Sequence, residues 1–146
     1  MSFNVLFLCT GNYYRSRFAE ILFNSLATPE QLDVHADSRG VATELGVDNI
    51  GPISPHVSKA LAIRHIRDLS INRFPKQVQE PDFRNANLII ALDEEEHRAM
   101  IQDRYPDWVD RVEYWNVMDL WATSPDEALP TIEGKVLQLI ARLKKL

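Results

Sequence analysis

Cys9-Thr10-Gly11-Asn12-Tyr13-Tyr14-Arg15-Ser16 lies between the apolar run Val5-Leu6-Phe7-Leu8 and a helical pattern of Phe18, Ile21, Leu22 and Leu26. The order is strand, tight loop, helix. Such a turn aims successive backbone N–H groups and the positive end of a helix at one point, which makes an anion site. Cys9 opens the loop and Arg15 closes it. Loop amides and a guanidinium both favour a thiolate over a thiol. Arg15 adds a planar fork able to hold two phosphate oxygens. A nucleophilic sulfur facing a bound phosphate implies phosphoryl transfer through a phosphocysteine.

Outward from this loop, the chain reads as alternating strands and helices. Asn4 to Leu8 is apolar on both faces, as a buried parallel strand requires. The first helix runs from a cap at Ser16 to about Ala27, with Arg17, Glu20 and Asn24 expected to face water. Leu32, Val34 and Ala36 alternate into a second strand, ending at Asp37-Ser38-Arg39-Gly40 in a turn that Gly40 permits. Val41 to Pro52 reads as a loop with at most a helical turn. Ser54-Pro55 starts a second helix, which carries Val57, Leu61 and Ile66 inward. Leu88 to Leu92 is the next buried strand, and Asp93-x-x-Glu96 has the form of a capping box for a helix reaching about Asp103. Glu94, Glu95 and Glu96 read as first-turn acids complementing the helix dipole rather than as a metal site. Val112, Tyr114 and Trp115 mark a fourth strand, and a last helix spans about Thr131 to Lys144.

Four strands alternating with helices predict one three-layer α/β domain over residues 1–146. Its four-stranded parallel sheet carries helices on both faces. Ligands in such sheets bind beyond the carboxyl ends of the strands. Cys9, Ser38, Asp93 and Asp119 all follow predicted strands.

The bulk numbers narrow the function. A chain of 146 residues, 45% hydrophobic and 25% charged, is ordinary for a globular protein. A net charge of −5 speaks against nucleic acid or an acidic membrane as the main partner. No apolar stretch approaches the roughly 20 residues of a membrane span, and no signal segment is visible. One cysteine allows no internal disulfide and fits a reducing cytoplasm. The four histidines show no paired metal-ligand spacing and read as surface or helix residues. No metal or other cofactor is expected.

Residue by residue, the opening loop resembles the signature of the low-molecular-weight protein tyrosine phosphatases, Cys-x-Gly-Asn-x-x-Arg-Ser near the N-terminus. Cys9, Gly11, Asn12, Arg15 and Ser16 match it in spacing. The resemblance implies strand order 2-1-3-4. It implies Cys9 as nucleophile, with Arg15 and the amides of Thr10, Gly11, Asn12, Tyr13, Tyr14, Arg15 and Ser16 holding the phosphate oxygens. Ser16 would also support the Cys9 thiolate, and Ser38 would support Asn12.

The family's general acid lies in an Asp-Pro-Tyr segment. Here that stretch is Val117-Met118-Asp119-Leu120-Trp121, so Asp119 fits by position while Leu120 and Trp121 depart from the pattern. Asp126 is the nearest substitute. Trp121, Tyr13 and Trp115 are the candidate aromatic walls of the pocket, and Glu44 falls near the family's wall position in the Val41–Gly51 loop. Tyr14 stands where many members carry a second cysteine. The family's histidine after the second helix has no clear equivalent near Ile71-Asn72-Arg73.

The implied substrate is a phosphorylated protein or a small phosphomonoester, with inhibition by phosphate-like oxyanions. The rival readings are a catalytically weak phosphate-recognition module, an arsenate reductase using an external thiol, and a phosphocysteine carrier, which Arg15 disfavours.

Overall fold

The apolar run before Cys9 becomes β1 (Phe3–Cys9), the central strand of the protein in a computed structural model that describes residues 2–146. β2 (Val34–Gly40), β3 (Leu88–Ala91) and β4 (Val112–Tyr114) join it in the order β2-β1-β3-β4. Every pairing is parallel.

Alternation along β1 divides the core. Val5, Phe7 and Cys9 belong to one apolar cluster, with Phe18, Ile21, Leu22, Val57, Ile132 and Val136. Leu6 and Leu8 belong to the other, with Phe83, Ile101 and Val109. The first cluster lies under α1 (Arg15–Ala27), α2 (Pro55–Ile63) and α5 (Pro125–Leu143). The second lies under α3 (Glu80–Asn85) and α4 (Glu94–Arg104). The result is the expected single α/β domain with helices on both faces.

Several local expectations give way to tertiary structure. Arg17 and Glu20 do not face water; both are buried, and Asn24 is half-buried. The three occupy one helical stripe, and each binds a flanking segment. Arg17 donates to the carbonyls of Pro52 and Ser70 at 2.9 and 2.6 Å. Glu20 accepts from Ser38 and Arg73. Asn24 bonds both the N–H and the carbonyl of Ala36, at 2.8 and 2.9 Å. That amide pairs with the outer edge of β2 and leaves it less open to another strand.

Ser16 lies inside α1 rather than capping it, because Tyr14 is the N-cap. Gly40 does not make a turn: it is the last residue of β2, paired with Cys9. A β-carbon there would come within 2.5 Å of Thr43 Cγ2 and 2.8 Å of the Thr10 carbonyl oxygen. The glycine serves close approach to the phosphate loop. Leu32 packs on the core just before β2. α3 is a further helix, lying between α2 and β3.

α5 begins at Pro125, well before Thr131, and carries Pro130 inside it. Proline lacks an N–H, so the only helical bond it removes is the one to the carbonyl of Asp126. Proline this close to the helix start is therefore tolerated. Among the described residues, no helix is long and apolar enough to cross a membrane.

Candidate active site

β1 delivers Cys9 to the carboxyl edge of the sheet, and the chain winds through the loop into α1. Asn12 has φ 55°, in the left-handed region that asparagine tolerates better than most residues. The carbonyls of Cys9, Thr10 and Tyr13 accept from the N–H groups of Val41, Ala42 and Ser54 at 2.9, 3.0 and 3.0 Å. In a trans peptide the N–H points opposite to the carbonyl. The amides of Thr10, Gly11 and Tyr14 therefore point away from those partners. The Tyr14 carbonyl accepts from Phe18 within α1, so the Arg15 amide faces out of the helix start.

Cys9 Sγ lies 3.0 Å from Ser16 Oγ. Ser16 Oγ accepts from Asn12 Nδ2 at 2.9 Å, and the same Nδ2 donates to Ser38 Oγ at 2.9 Å. With the sulfur as thiolate, the Ser16 proton is directed to it. The expected pairing of Ser38 with Asn12 is present.

Behind it stands a partner that sequence reading missed. Arg73 donates to Asn12 Oδ1 at 3.1 Å, to Ser38 Oγ at 3.0 Å and to Glu20 at 3.1 Å. A charged clamp thus holds the amide on which the loop turns. Burial pushes the Glu20 carboxyl up, while Ser38 and Arg73 oppose the shift.

Arg15 is buried. Its Nη1 donates to Glu96 Oε1 at 3.1 Å and to the Val117 carbonyl at 2.9 Å, and its Nη2 donates to Glu96 Oε2 at 2.7 Å. A guanidinium has five N–H groups in a fixed plane. Glu96 occupies the Nη1/Nη2 edge and Val117 takes the remaining Nη1 proton. The Nε–H and the second Nη2–H are left as a parallel fork.

Glu96 is therefore not the capping-box acid of α4, and Asp93 makes no side-chain cap bond there. Glu96 also accepts from Thr10 Oγ1 and lies 3.1 Å from His97 Nε2. His97 is a helix residue, as one of the two expected readings has it, and is buried in α4; its Nδ1 accepts from the Asp93 N–H at 3.0 Å. This bond places the ring proton on Nε2, facing Glu96. Burial alone would raise the Glu96 carboxyl. Bonds from His97, Arg15 and Thr10 outweigh burial and hold it well below the usual carboxylate range. Thr10 thus turns its side chain away from the pocket. Glu94 and Glu95 are exposed first-turn acids, as expected.

A pocket of about 160 Å³ opens over the loop, with Cys9 and Arg15 lining it beside Gly11. Asp119 and Leu120 form one wall, and Tyr13, Tyr14 and Asn49 line the rest. Asp119 Oδ2 lies 3.6 Å from Arg15 Nη2, and Oδ1 accepts from the Leu120 N–H at 2.9 Å. A proline at 120 could not donate that bond. The departure from the family pattern orients the carboxylate with Oδ2 on the pocket side.

Tyr13 donates to the Ile50 carbonyl at 2.6 Å and ties down the neighbouring loop. Trp121 does not line the pocket; it is exposed next to Leu120. Trp115 packs 5.7 Å from Phe7 in the core, and Glu44 pairs with Arg104 at 2.6 Å, so neither is a wall. Asp126 borders a separate groove. Among the described residues, no group of acids, histidines and cysteine is placed to hold a metal ion.

The Tyr14 ring is buried, and burial, aided by the charge of Asp119 and opposed by Arg15, pushes its phenol up to about 12. The folded state thus prefers the neutral phenol. Its contribution to stability is fully present below the unfolded value of about 10 and is lost as pH rises through 12. Following phenolate absorbance with pH, wild type should show one late-titrating tyrosine that Tyr14→Phe lacks. The variant should also lose less stability between pH 10 and 12. A late titration that persists in Tyr14→Phe would contradict this assignment.

Known proteins are similar to this one in sequence and geometry. The chain is 29% identical over 154 residues to a protein-arginine-phosphatase of Bacillus subtilis, covering 97% of each. The crystal structure of YfkJ from Bacillus subtilis superposes with a TM-score of 0.84 at 25% identity, covering 99% of this chain and 96% of that one. A YwlE arginine phosphatase structure superposes with a TM-score of 0.80 at 28% identity, covering 97% and 96%. In that structure a serine replaces a cysteine in the active site and is phosphorylated. The family model described as low molecular weight phosphotyrosine protein phosphatase matches residues 4–146, and the chain belongs to that family.

Proposed function

We propose that this protein hydrolyses phosphotyrosine in proteins through a phosphocysteine on Cys9, with Asp119 as general acid and then general base. The observation that carries the reading is the arrangement of Cys9 Sγ, the free Nε–H/Nη2–H edge of Arg15 and Asp119 Oδ2 around one pocket.

In the first step the Cys9 thiolate attacks phosphorus and the phosphorus–oxygen ester bond breaks. The departing oxygen takes the Asp119 proton. The loop amides and the Arg15 fork hold the three equatorial oxygens as charge redistributes. In the second step Asp119 removes a proton from water, whose oxygen attacks phosphorus. The sulfur–phosphorus bond breaks, and Ser16 stabilises the thiolate that leaves. The phosphorylated active-site serine of the YwlE structure supports a covalent intermediate at this position. The reading uses no metal, expects competitive inhibition by phosphate and vanadate, and places the enzyme in the cytoplasm, where a lone active thiol stays reduced.

The test is steady-state hydrolysis of p-nitrophenyl phosphate and a phosphotyrosyl peptide with EDTA present. Asp119→Asn should lower kcat on the peptide by about 10²- to 10³-fold. The loss should be smaller on p-nitrophenyl phosphate, whose leaving group needs less protonation. The acidic-group limb of the kcat pH profile should disappear. Equal, small losses on both substrates would remove Asp119 from the acid role.

A further inference from the structure

Beside the active pocket runs a groove of about 370 Å³ between α2 and the first turns of α5. It starts at His56, whose ring stands 6.3 Å from that of Tyr14. Tyr14 lines the active pocket, so the two hollows share a wall. At its other end Arg64 is held by Glu133 in a bidentate pair at 2.8 and 3.1 Å. From His56 to Arg64 the helix rises about 12 Å, the span of three or four extended residues.

The lining suits a polypeptide. Ile63, 66% exposed, faces the buried Leu129 across the groove, with Pro130 beside them. Lys59 borders it and has no ion pair among the described residues. Pro130 supplies no N–H, so the carbonyl of Asp126 lacks its helical donor where both residues line the groove. The Asp126 carboxylate also borders the groove, at the N-terminal turn of α5, where the helix dipole favours it.

We propose that this groove holds the polypeptide on one side of the phosphorylated residue, an inference that rests on the phosphatase reading above. An apolar side chain of the substrate packs on Ile63 and Leu129, and a nearby carboxylate meets Lys59. The substrate class is then a phosphorylated protein segment carrying apolar and acidic residues within about four positions of the phosphate.

The test compares kcat/KM for p-nitrophenyl phosphate with that for fluorescein-labelled phosphotyrosyl peptides bearing Glu and Leu in that range, on either side. Ile63→Asp and Lys59→Glu should each lower kcat/KM for the preferred peptide by about fivefold or more. Turnover of p-nitrophenyl phosphate should be unchanged. A peptide with Lys in place of Glu should recover the Lys59→Glu loss. Peptide and small-ester rates that move together, or neither moving, would overturn the groove. If wild type fails on p-nitrophenyl phosphate, the phosphatase reading fails. The groove is then decided by anisotropy of the same peptide: weaker binding to Lys59→Glu retains it, and unchanged binding removes it.

Discussion

Cys9→Ser should abolish turnover, lowering kcat by about 10⁵-fold or more, the scale on which enzymes lose activity with their nucleophile. The sulfur sits at the end of β1, buried, 3.0 Å from the hydroxyl that steadies it. A serine hydroxyl fits the same place, but it is a far weaker nucleophile than a thiolate and its alkoxide a far poorer leaving group, so a phosphoserine such as that of the YwlE structure is not turned over. The Arg15 fork and the loop amides are untouched by the exchange. Vanadate should therefore still bind the variant, although without the covalent sulfur contact. Measured kcat and vanadate affinity together separate loss of chemistry from loss of the pocket. Residual turnover within tenfold of wild type would show that the sulfur does not attack.

The second large effect is expected at Glu96, which touches no substrate and acts through Arg15. Glu96→Gln keeps the shape but gives up one of two bidentate acceptors and the charge that faces a buried guanidinium. A displaced fork of this kind lowers kcat by about 10²-fold. Oxyanion affinity should fall as well, because the same fork holds phosphate. The stability loss should be about 3 kcal/mol, the scale for breaking a buried ion pair from one side.

The pH dependence carries the signature. The folded Glu96 carboxyl is held below its unfolded range, so its contribution is present above about pH 4.3 and is lost as pH falls below that. Wild type should therefore destabilise more steeply in acid than Glu96→Gln. Melting curves between pH 3 and 7 check the stability part, and kinetics at neutral pH check the positioning part. Full activity in the variant would remove Glu96 from the machinery.

Glu96 also shows why part of the site is not legible in the sequence. Asp93-x-x-Glu96 is a local pattern, and a capping box is its usual local meaning. The residue that claims Glu96 is Arg15, 81 positions away, and only the adjacency of β1 and β3 brings them together. The polar stripe of Arg17, Glu20 and Asn24 has the same ambiguity. On an amphipathic helix it is the wet face. Here it is roofed by β2 and by the segments around Pro52, Ser70 and Arg73, which supply carbonyls, an N–H, a hydroxyl and a cation. The available signal was the width of the apolar surface of α1. Phe18, Ala19, Ile21, Leu22 and Phe23 together cover more than one face, which marks a helix enclosed on several sides.

The nucleophile loop was legible because it is contiguous: its spacing, strand and helix all lie within residues 3–27. Ser38 and Asp119 were found through the family pattern at the ends of strands. Arg73 and His97, which support the loop, and Asn49, which lines the pocket, lie in stretches whose local composition carries no sign of it.

The central claim is a covalent phosphoryl group on Cys9. Rapid acid quench of Asp119→Ala with p-nitrophenyl phosphate, followed by peptide mass spectrometry, tests it most directly, because that leaving group needs little protonation while loss of the base slows hydrolysis of the intermediate. One phosphoryl group is expected, on the peptide containing Cys9, formed as p-nitrophenol is released and lost on longer incubation. Release of p-nitrophenol in a burst with no phosphate on Cys9, or phosphate carried on another residue, would contradict it.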